Sequence, residues 1–281
     1  MSKNWKILMG VMLMLLLAGI GGCLAQRVIY GVKPGVTVEG LNVGGYLPPE
    51  VTRLVTHLAI EKNRPPKNAV MMDNGEIVKE VQGVEVDIEQ SKRKIMSAKR
   101  REQITLVVRQ VQPEITVDLI KRLDETLGTY TTFVSGTTNR LTNITLAAKK
   151  LNFTIVPAQS LFSFNASIGP RTVEKGYKAA PIIIGEGHGM DAGGGVCQVS
   201  STLYNATMAA KLKIVERHPH SKKVYYVPVG RDAAISFPGL DFKFYNKFQE
   251  PVIIRSRIEG RVLTIWISGT SELKKQIQGS E

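Results

Sequence analysis

Apolar residues first cluster at the very start of the chain, in an uncharged run from Ile7 to Ile20 that continues without charge to Gln26. Lys3 and Lys6 precede it. A terminal apolar run with a basic flank reads as a targeting element, with all that follows facing outward. Three forms of export compete over residues 1–26. A retained signal anchor needs about 18 or more apolar residues, which this run just reaches. A lipoprotein signal needs a small residue before a cysteine, and Ile20-Gly21-Gly22-Cys23 has that form, making Cys23 a lipidation candidate. A cleaved secretory signal needs a small-residue cleavage site, and Leu24-Ala25-Gln26 is a poor one.

Residues 27–47 are rich in glycine and valine and read as a short extended element with turns. Beyond Pro48-Pro49, apolar Val51, Leu54, Val55 and Leu58 recur at helical spacing, so Glu50 to about Lys62 is expected to be an amphipathic helix. Two β-rich runs, 69–72 and 76–81, flank Asp73-Asn74-Gly75 and predict a hairpin. Asp87 is placed to cap a helix reaching Lys99, Ile104 to Val111 reads as a strand, and Thr116 is placed to cap a helix through Leu127. Residues 27–127 therefore read as a small α+β module, and the Thr/Gly-rich stretch 128–142 as a linker.

The pattern from 143 to 270 predicts a second α+β domain with a mixed or antiparallel sheet. A helix is expected over 143–151 and extended segments at 154–157, 160–165 and 177–184. A glycine-dense loop, 185–195, then precedes Val199, Leu203, Ala206 and Ala210 at helical spacing, which starts a helix near Cys197. A β-rich stretch follows over 213–228, then a terminal hairpin from 252–254 and 261–267. Residues 271–281 read as a polar, frayed tail.

Composition changes this picture little. The hydrophobic fraction of 43% suits a packed core. A net charge of +13 favours anionic partners, and export together with only 6% aromatics argues against nucleic acid. The first module carries no Ser/His/Asp set, metal cluster or phosphate loop, and no cofactor is called for anywhere. No oligomeric state can be read.

Candidate chemistry lies around Cys197. At a helix N-terminus a thiol ionises more readily, and the thiolate is the nucleophile. Gly194, Gly195 and Gln198 are placed to bind substrate or to supply an oxyanion site, the glycines allowing close backbone approach. In an extended 213–221 segment His218 and His220 would point the same way, so either is a candidate general base, with Asp232 as orienter. The bland reading of Cys197 is a small buried core residue. A zinc set of Cys197, His218 and His220, joined by His188 or Asp191, lacks tight metal-site spacing, so no metal is assigned.

The run Gly193-Gly194-Gly195-Val196-Cys197-Gln198-Val199-Ser200-Ser201-Thr202-Leu203-Tyr204-Asn205 resembles the VanW domain family. The likeness continues in Phe162-Ser163-Phe164-Asn165, Gly169, Glu216-Arg217, His220-Ser221, Tyr226-Val227-Pro228, Gly230-Arg231-Asp232-Ala233 and Asp241-Phe242-Lys243-Phe244-Tyr245-Asn246, spanning roughly residues 140–270. Pro34 to Gly40 with Gly44-Gly45 is also similar to the start of a peptidoglycan-binding module found ahead of such domains, although the region here is shorter. The resemblance implies a cell-wall protein linked to glycopeptide resistance, with peptidoglycan as partner. In relatives resembling L,D-transpeptidases the family cysteine would attack a stem-peptide carbonyl, form a thioester and pass the acyl group to an amine. It favours His220 over His218 as base and suggests Arg217 as holder of a stem-peptide carboxylate. A non-enzymatic wall-binding or resistance-accessory role and a zinc-dependent peptidase or amidase are the alternatives.

Overall fold

The computed structural model describes residues 25–72, 74–184 and 187–279, together with Met9 and Met12; the side chains of Ile184 and His188 are not described. The signal-anchor and lipobox readings, with Cys23, fall almost wholly outside these residues. Among the described residues no helix is long and apolar enough to cross a membrane.

In chain order the first elements are β1 (Thr37–Val38), β2 (Leu41–Asn42), α1 (Pro48–Lys62), β3 (Val70–Met71), β4 (Ile77–Val78), β5 (Gly83–Val86), α2 (Ile88–Met96), β6 (Gln103–Ile104), β7 (Val108–Val111) and α3 (Val117–Arg122). There follow β8 (Glu125–Phe133), α4 (Thr138–Leu151), β9 (Thr154–Val156), β10 (Leu161–Ser163), α5 (Phe164–Ile168), β11 (Ala179–Ile184), β12 (Gly187–Ala192) and α6 (Val196–Ala209). The chain closes with β13 (Lys213–Glu216), β14 (Lys243–Tyr245), β15 (Val252–Glu259), β16 (Val262–Gly269) and α7 (Ser271–Gln278). The protein is mixed α+β, and its strand pairs are antiparallel apart from β1 with β6.

Two compact units divide the chain, one formed by residues up to 68 with 80–114, the other by 69–79 with 115–281. In the first, helix α1 buries Val51, Val55 and Ala59 against Val36, Val38, Val43 and Ile95. Its start is fixed by Glu50, which accepts the Leu47 N–H at 2.8 Å and pairs with Arg27 at 2.7 Å. The Asp87 side chain caps α2 by accepting the Gln90 N–H at 2.8 Å.

The second unit is built on an antiparallel sheet ordered β8-β16-β15-β9. Alternation along β16 buries Leu263, Ile265 and Ile267, while Val262, Thr264 and Trp266 are only partly buried. Helix α6 crosses β8 and β16 with Val196, Val199, Leu203 and Ala206 inward. Each of the larger side chains contributes about 1.5–3 kcal/mol of burial. A smaller sheet, β10-β14-β13, packs Phe162, Phe244 and Phe242 into the same core.

The structure departs from the sequence expectations in several elements. The 128–142 linker is instead most of β8 and the start of α4. Thr131 pairs with Thr264 and Thr132 is buried, so the Thr-rich composition belongs to a sheet. The 69–81 hairpin forms, Val70 opposite Val78, but its strands belong to the second unit. The helix capped by Thr116 ends at Arg122, and Glu125 already pairs with Gly269. Half of the expected glycine loop is β12, paired in register with β11. The polar tail is helix α7, capped by Thr270 and anchored by the buried Leu273. Beyond Glu216 the β-rich reading fails apart from a bridge of His218 to Ala234, and residues 221–228 are bends and irregular backbone.

Gly128 shows why β8 carries a glycine. A Cβ there would lie 2.3 Å from Ala210 N and 2.5 Å from Ala206 O, at the end of α6. Backbone cannot swing aside as a side chain can, so Gly128→Ala is expected to destabilise the protein by about 1–3 kcal/mol or more. Denaturant unfolding checks this; an unchanged midpoint would mean that α6 has room to withdraw.

Candidate active site

The helix that carries Cys197 is held by its own polar residues. Gln198, 1% exposed, donates from Nε2 to Thr132 Oγ1 and to the Phe133 carbonyl, both at 3.0 Å, and accepts from Arg140 Nη2 at 2.9 Å. Thr202 meets Thr132 at 2.9 Å. These bonds tie the first turn of α6 to β8. On the other side Ser200 Oγ donates to the Ala233 carbonyl at 2.6 Å, Ser201 Oγ accepts the Ala233 N–H at 2.9 Å, and Asn205 Nδ2 donates to the Arg231 carbonyl at 2.7 Å. The run of polar residues after Cys197 is therefore a staple that holds residues 231–233 against the helix. Satisfied and buried, it is costly to break.

That staple sets Asp232 beneath His220. Asp232 Oδ2 accepts the His220 backbone N–H at 2.7 Å and meets His220 Nδ1 at 2.6 Å. Its Oδ1 accepts from Arg217 Nη2 at 2.7 Å, and Arg217 Nε donates to the Asp232 carbonyl. Burial opposes charge on Asp232, but the amide and imidazole of His220 outweigh it and hold the carboxyl below its usual range. With Nδ1 engaged by the carboxylate, Nε2 is the imidazole nitrogen left for Cys197.

Cys197 is half-buried, the second residue of α6, and its Sγ donates to the Ile235 carbonyl at 3.5 Å. Burial works to raise the thiol. A hydrogen bond and the charge of His220, with the Arg171 cation, outweigh burial and bring it below its ordinary value. His220 moves the opposite way: burial disfavours the imidazolium, yet hydrogen bonds and charge from Cys197 and Asp232 raise it overall. The two opposite shifts share one cause: the charged form of each group favours the charged form of the other. Tyr226 stands edge-on to His220, ring centres 6.5 Å apart, and its hydroxyl bonds Ser201.

Gly195, at φ +103°, caps the helix. The N–H groups of Val196 and Gln198 go to the carbonyls of Gly193 and Gly195 at 3.1 and 2.9 Å. Among the described residues the N–H groups of Gly195 and Cys197 make no hydrogen bond. They are the donors available to an oxyanion. The glycines themselves make room for protein rather than for substrate. A Cβ at Gly193 would lie 2.7 Å from Arg171 Cβ, one at Gly194 2.4 Å from the Ala180 carbonyl, and one at Gly195 2.8 Å from Arg140 Cγ. Two arginine stems thus straddle the turn before the nucleophile.

Of the residues expected from sequence, Cys197, His220 and Asp232 come together. His218 does not join them: it bridges to Ala234, and its Nε2 lies 3.0 Å from Glu216 Oε1. The extended register that would align both histidines ends at Glu216. A Cys197/His218/His220 zinc set therefore does not converge, and among the described residues no group of three or more His, Cys, Asp or Glu side chains is placed to hold a metal. Arg217 and Gln198 are spent inside the protein. Arg140, Arg171, Ser201 and Tyr226 were missed; only the last two lie in segments that the resemblance marked.

The VanW-like protein model matches residues 139–268. YoaR of Bacillus subtilis (strain 168), an uncharacterized protein, is 34% identical over 232 residues, 81% of this chain and 77% of that protein. The vancomycin B-type resistance protein VanW of Enterococcus faecalis (strain ATCC 700802 / V583) is 30% identical over 113 residues, 38% of this chain and 41% of that protein. No solved structure matches the chain. Over the domain that carries Cys197, His220 and Asp232, the chain belongs to the VanW-like protein family.

Proposed function

We propose that this protein is exported, held at the membrane by its N-terminal segment, and acts on the cell wall as a cysteine acyl-transferase on peptidoglycan stem peptides. The relay of Cys197, His220 and Asp232 at the start of α6 carries this reading. Similarity to a vancomycin-resistance protein supports the wall setting.

In this mechanism the Cys197 thiolate attacks a stem-peptide carbonyl. The N–H groups of Gly195 and Cys197 receive the negative oxygen. The imidazolium of His220 gives its Nε2 proton to the departing amine of the terminal amino acid, leaving a thioester. An acceptor amine then attacks this thioester, His220 takes the amine's proton, and the thiolate is released; water in place of the amine gives hydrolysis. Asp232, fixed by Arg217 and the His220 amide, keeps the imidazole oriented throughout.

The full chain, incubated with a tetrapeptide muropeptide and an amine acceptor, is expected to release the terminal amino acid, and Cys197→Ala to release none. Equal release by both proteins would refute the reading. Wall binding by both without release would leave an accessory binding role.

A further inference from the structure

Beside the relay lies a cation whose hydrogen bonding is half used. Arg171 Nη1 donates to Asn165 Oδ1 at 2.8 Å and to the Gly169 carbonyl at 3.3 Å. Asn165 cannot turn away, since its Nδ2 is committed to the carbonyls of Ser236 and Leu240 at 2.8 and 3.0 Å. The guanidinium also sits 5.6 Å from the centre of the Phe237 ring. It is therefore locked in place. Yet among the described residues its Nε and Nη2 make no hydrogen bond, and it forms no ion pair. Nε–H and one Nη2–H lie parallel along one edge of the plane, the geometry that takes a carboxylate by two bonds.

Among the described residues no acid occupies that edge. Asp241, the carboxylate that acts on Arg171, is already occupied by Ser163 Oγ at 2.6 Å and by the N–H groups of Asn165 and Phe242 at 2.9 and 2.8 Å. Tyr177 packs with Arg171 on Gly193, and among the described residues its buried hydroxyl has no hydrogen-bond partner. Of the acidic groups of the site, Cys197 in its ionised form acts most strongly on Arg171. Arg171 is only partly buried, and its free edge is not among the buried unpartnered atoms, so a carboxylate can reach it.

We propose that Arg171 binds a free carboxylate of the acyl donor beside the carbonyl that Cys197 attacks, so that the donor is a peptide bearing a carboxylate near its scissile bond. Arg217, suggested for this role by the family resemblance, is instead committed to Asp232. This specificity assignment rests on the acyl-transfer reading, but its test does not.

The test compares alkylation of Cys197 by iodoacetate and by iodoacetamide, read at the Cys197 peptide by mass spectrometry in the full chain. Both reagents need the thiolate, so the ratio of their rates cancels any change in its abundance. The ratio is expected to fall about tenfold in Arg171→Met, as for loss of a charged hydrogen bond, and to recover largely in Arg171→Lys. An unchanged ratio in a folded Arg171→Met protein would overturn the assignment. The wild type supplies a test independent of variant folding: D-alanyl-D-alanine should protect Cys197 from iodoacetamide, whereas its C-terminal amide should not. Equal protection by both would also overturn it. A responsive ratio without peptide acyl transfer would keep the carboxylate site and refute the enzyme reading, and the reverse pattern would do the opposite.

Discussion

Replacing His220 by alanine is expected to slow alkylation of Cys197 at pH 7 by at least about 30-fold. An ordinary thiol, with a pKa of about 8.5, is only a few per cent thiolate at neutral pH. In this protein burial pushes the thiol up, and His220 leads the forces that bring it below its ordinary value. Without the imidazole, burial is left opposed by the Arg171 and Arg140 cations, and the thiol should titrate above the ordinary range. The sign follows directly. In the wild type reactivity persists below the usual thiol range and is lost as pH falls through the lowered Cys197 value. The raised His220 value keeps the imidazolium present to higher pH than a free histidine, and it is lost as pH rises through that value. The pH dependence of iodoacetamide labelling tests this. A His220→Ala profile that overlays the wild type would show that the thiol is not activated by the imidazole.

Asp232→Asn should be nearly as damaging while leaving the nucleophile in place. The carboxylate accepts from three donors, the His220 amide, His220 Nδ1 and Arg217 Nη2. An amide in the same position has one acceptor oxygen and two donor hydrogens, so it must turn a donor toward either Arg217 or His220. Facing a donor, Nδ1 gives up its proton, the proton sits on Nε2, and the imidazole can no longer accept from Cys197. Acyl transfer is expected to fall on the order of 10²–10⁴-fold, as when a triad orienter is replaced. Stability should fall too, because the variant leaves Arg217 half-buried with a poorer partner. Its contribution also has a pH sense. Asp232 is held below its usual range, so its stabilisation is present above the unfolded carboxyl value and disappears as pH falls through the folded one. Wild type and Asp232→Asn should therefore converge in stability in acid. A variant with full acyl-transfer rate would mean that Asp232 serves the fold alone.

The sequence made the nucleophile legible because two local signals agree on it. Glycines must precede a tight turn, and apolar spacing of three and four must follow at Val199, Leu203 and Ala206. Both point to one helix start, and Cys197 sits on it. The partners were harder. His220 and His218 are indistinguishable by spacing; what separates them is the end of β13 at Glu216, which depends on pairing with a strand 27 residues further on. Composition misled at 128–142, since threonine and glycine suit both linkers and strands. Only the crossing of α6 explains why Gly128 must lack a side chain. Arg140 and Arg171 carry no local signature at all. Their place beside Cys197 comes from stems that fill the space left by Gly195 and Gly193, a contact made in three dimensions and silent in spacing.

On the proposed function, Cys197 is an acyl-accepting nucleophile served by His220 and Asp232. Intact-mass measurement of the chain after brief exposure to a purified tetrapeptide muropeptide tests it most directly. A mass increase equal to the donor minus its terminal amino acid is expected on Cys197, absent in Cys197→Ala and strongly reduced in His220→Ala. Release of the terminal amino acid with no thioester at Cys197 on any time scale, or an equal mass increase in Cys197→Ala, would contradict it.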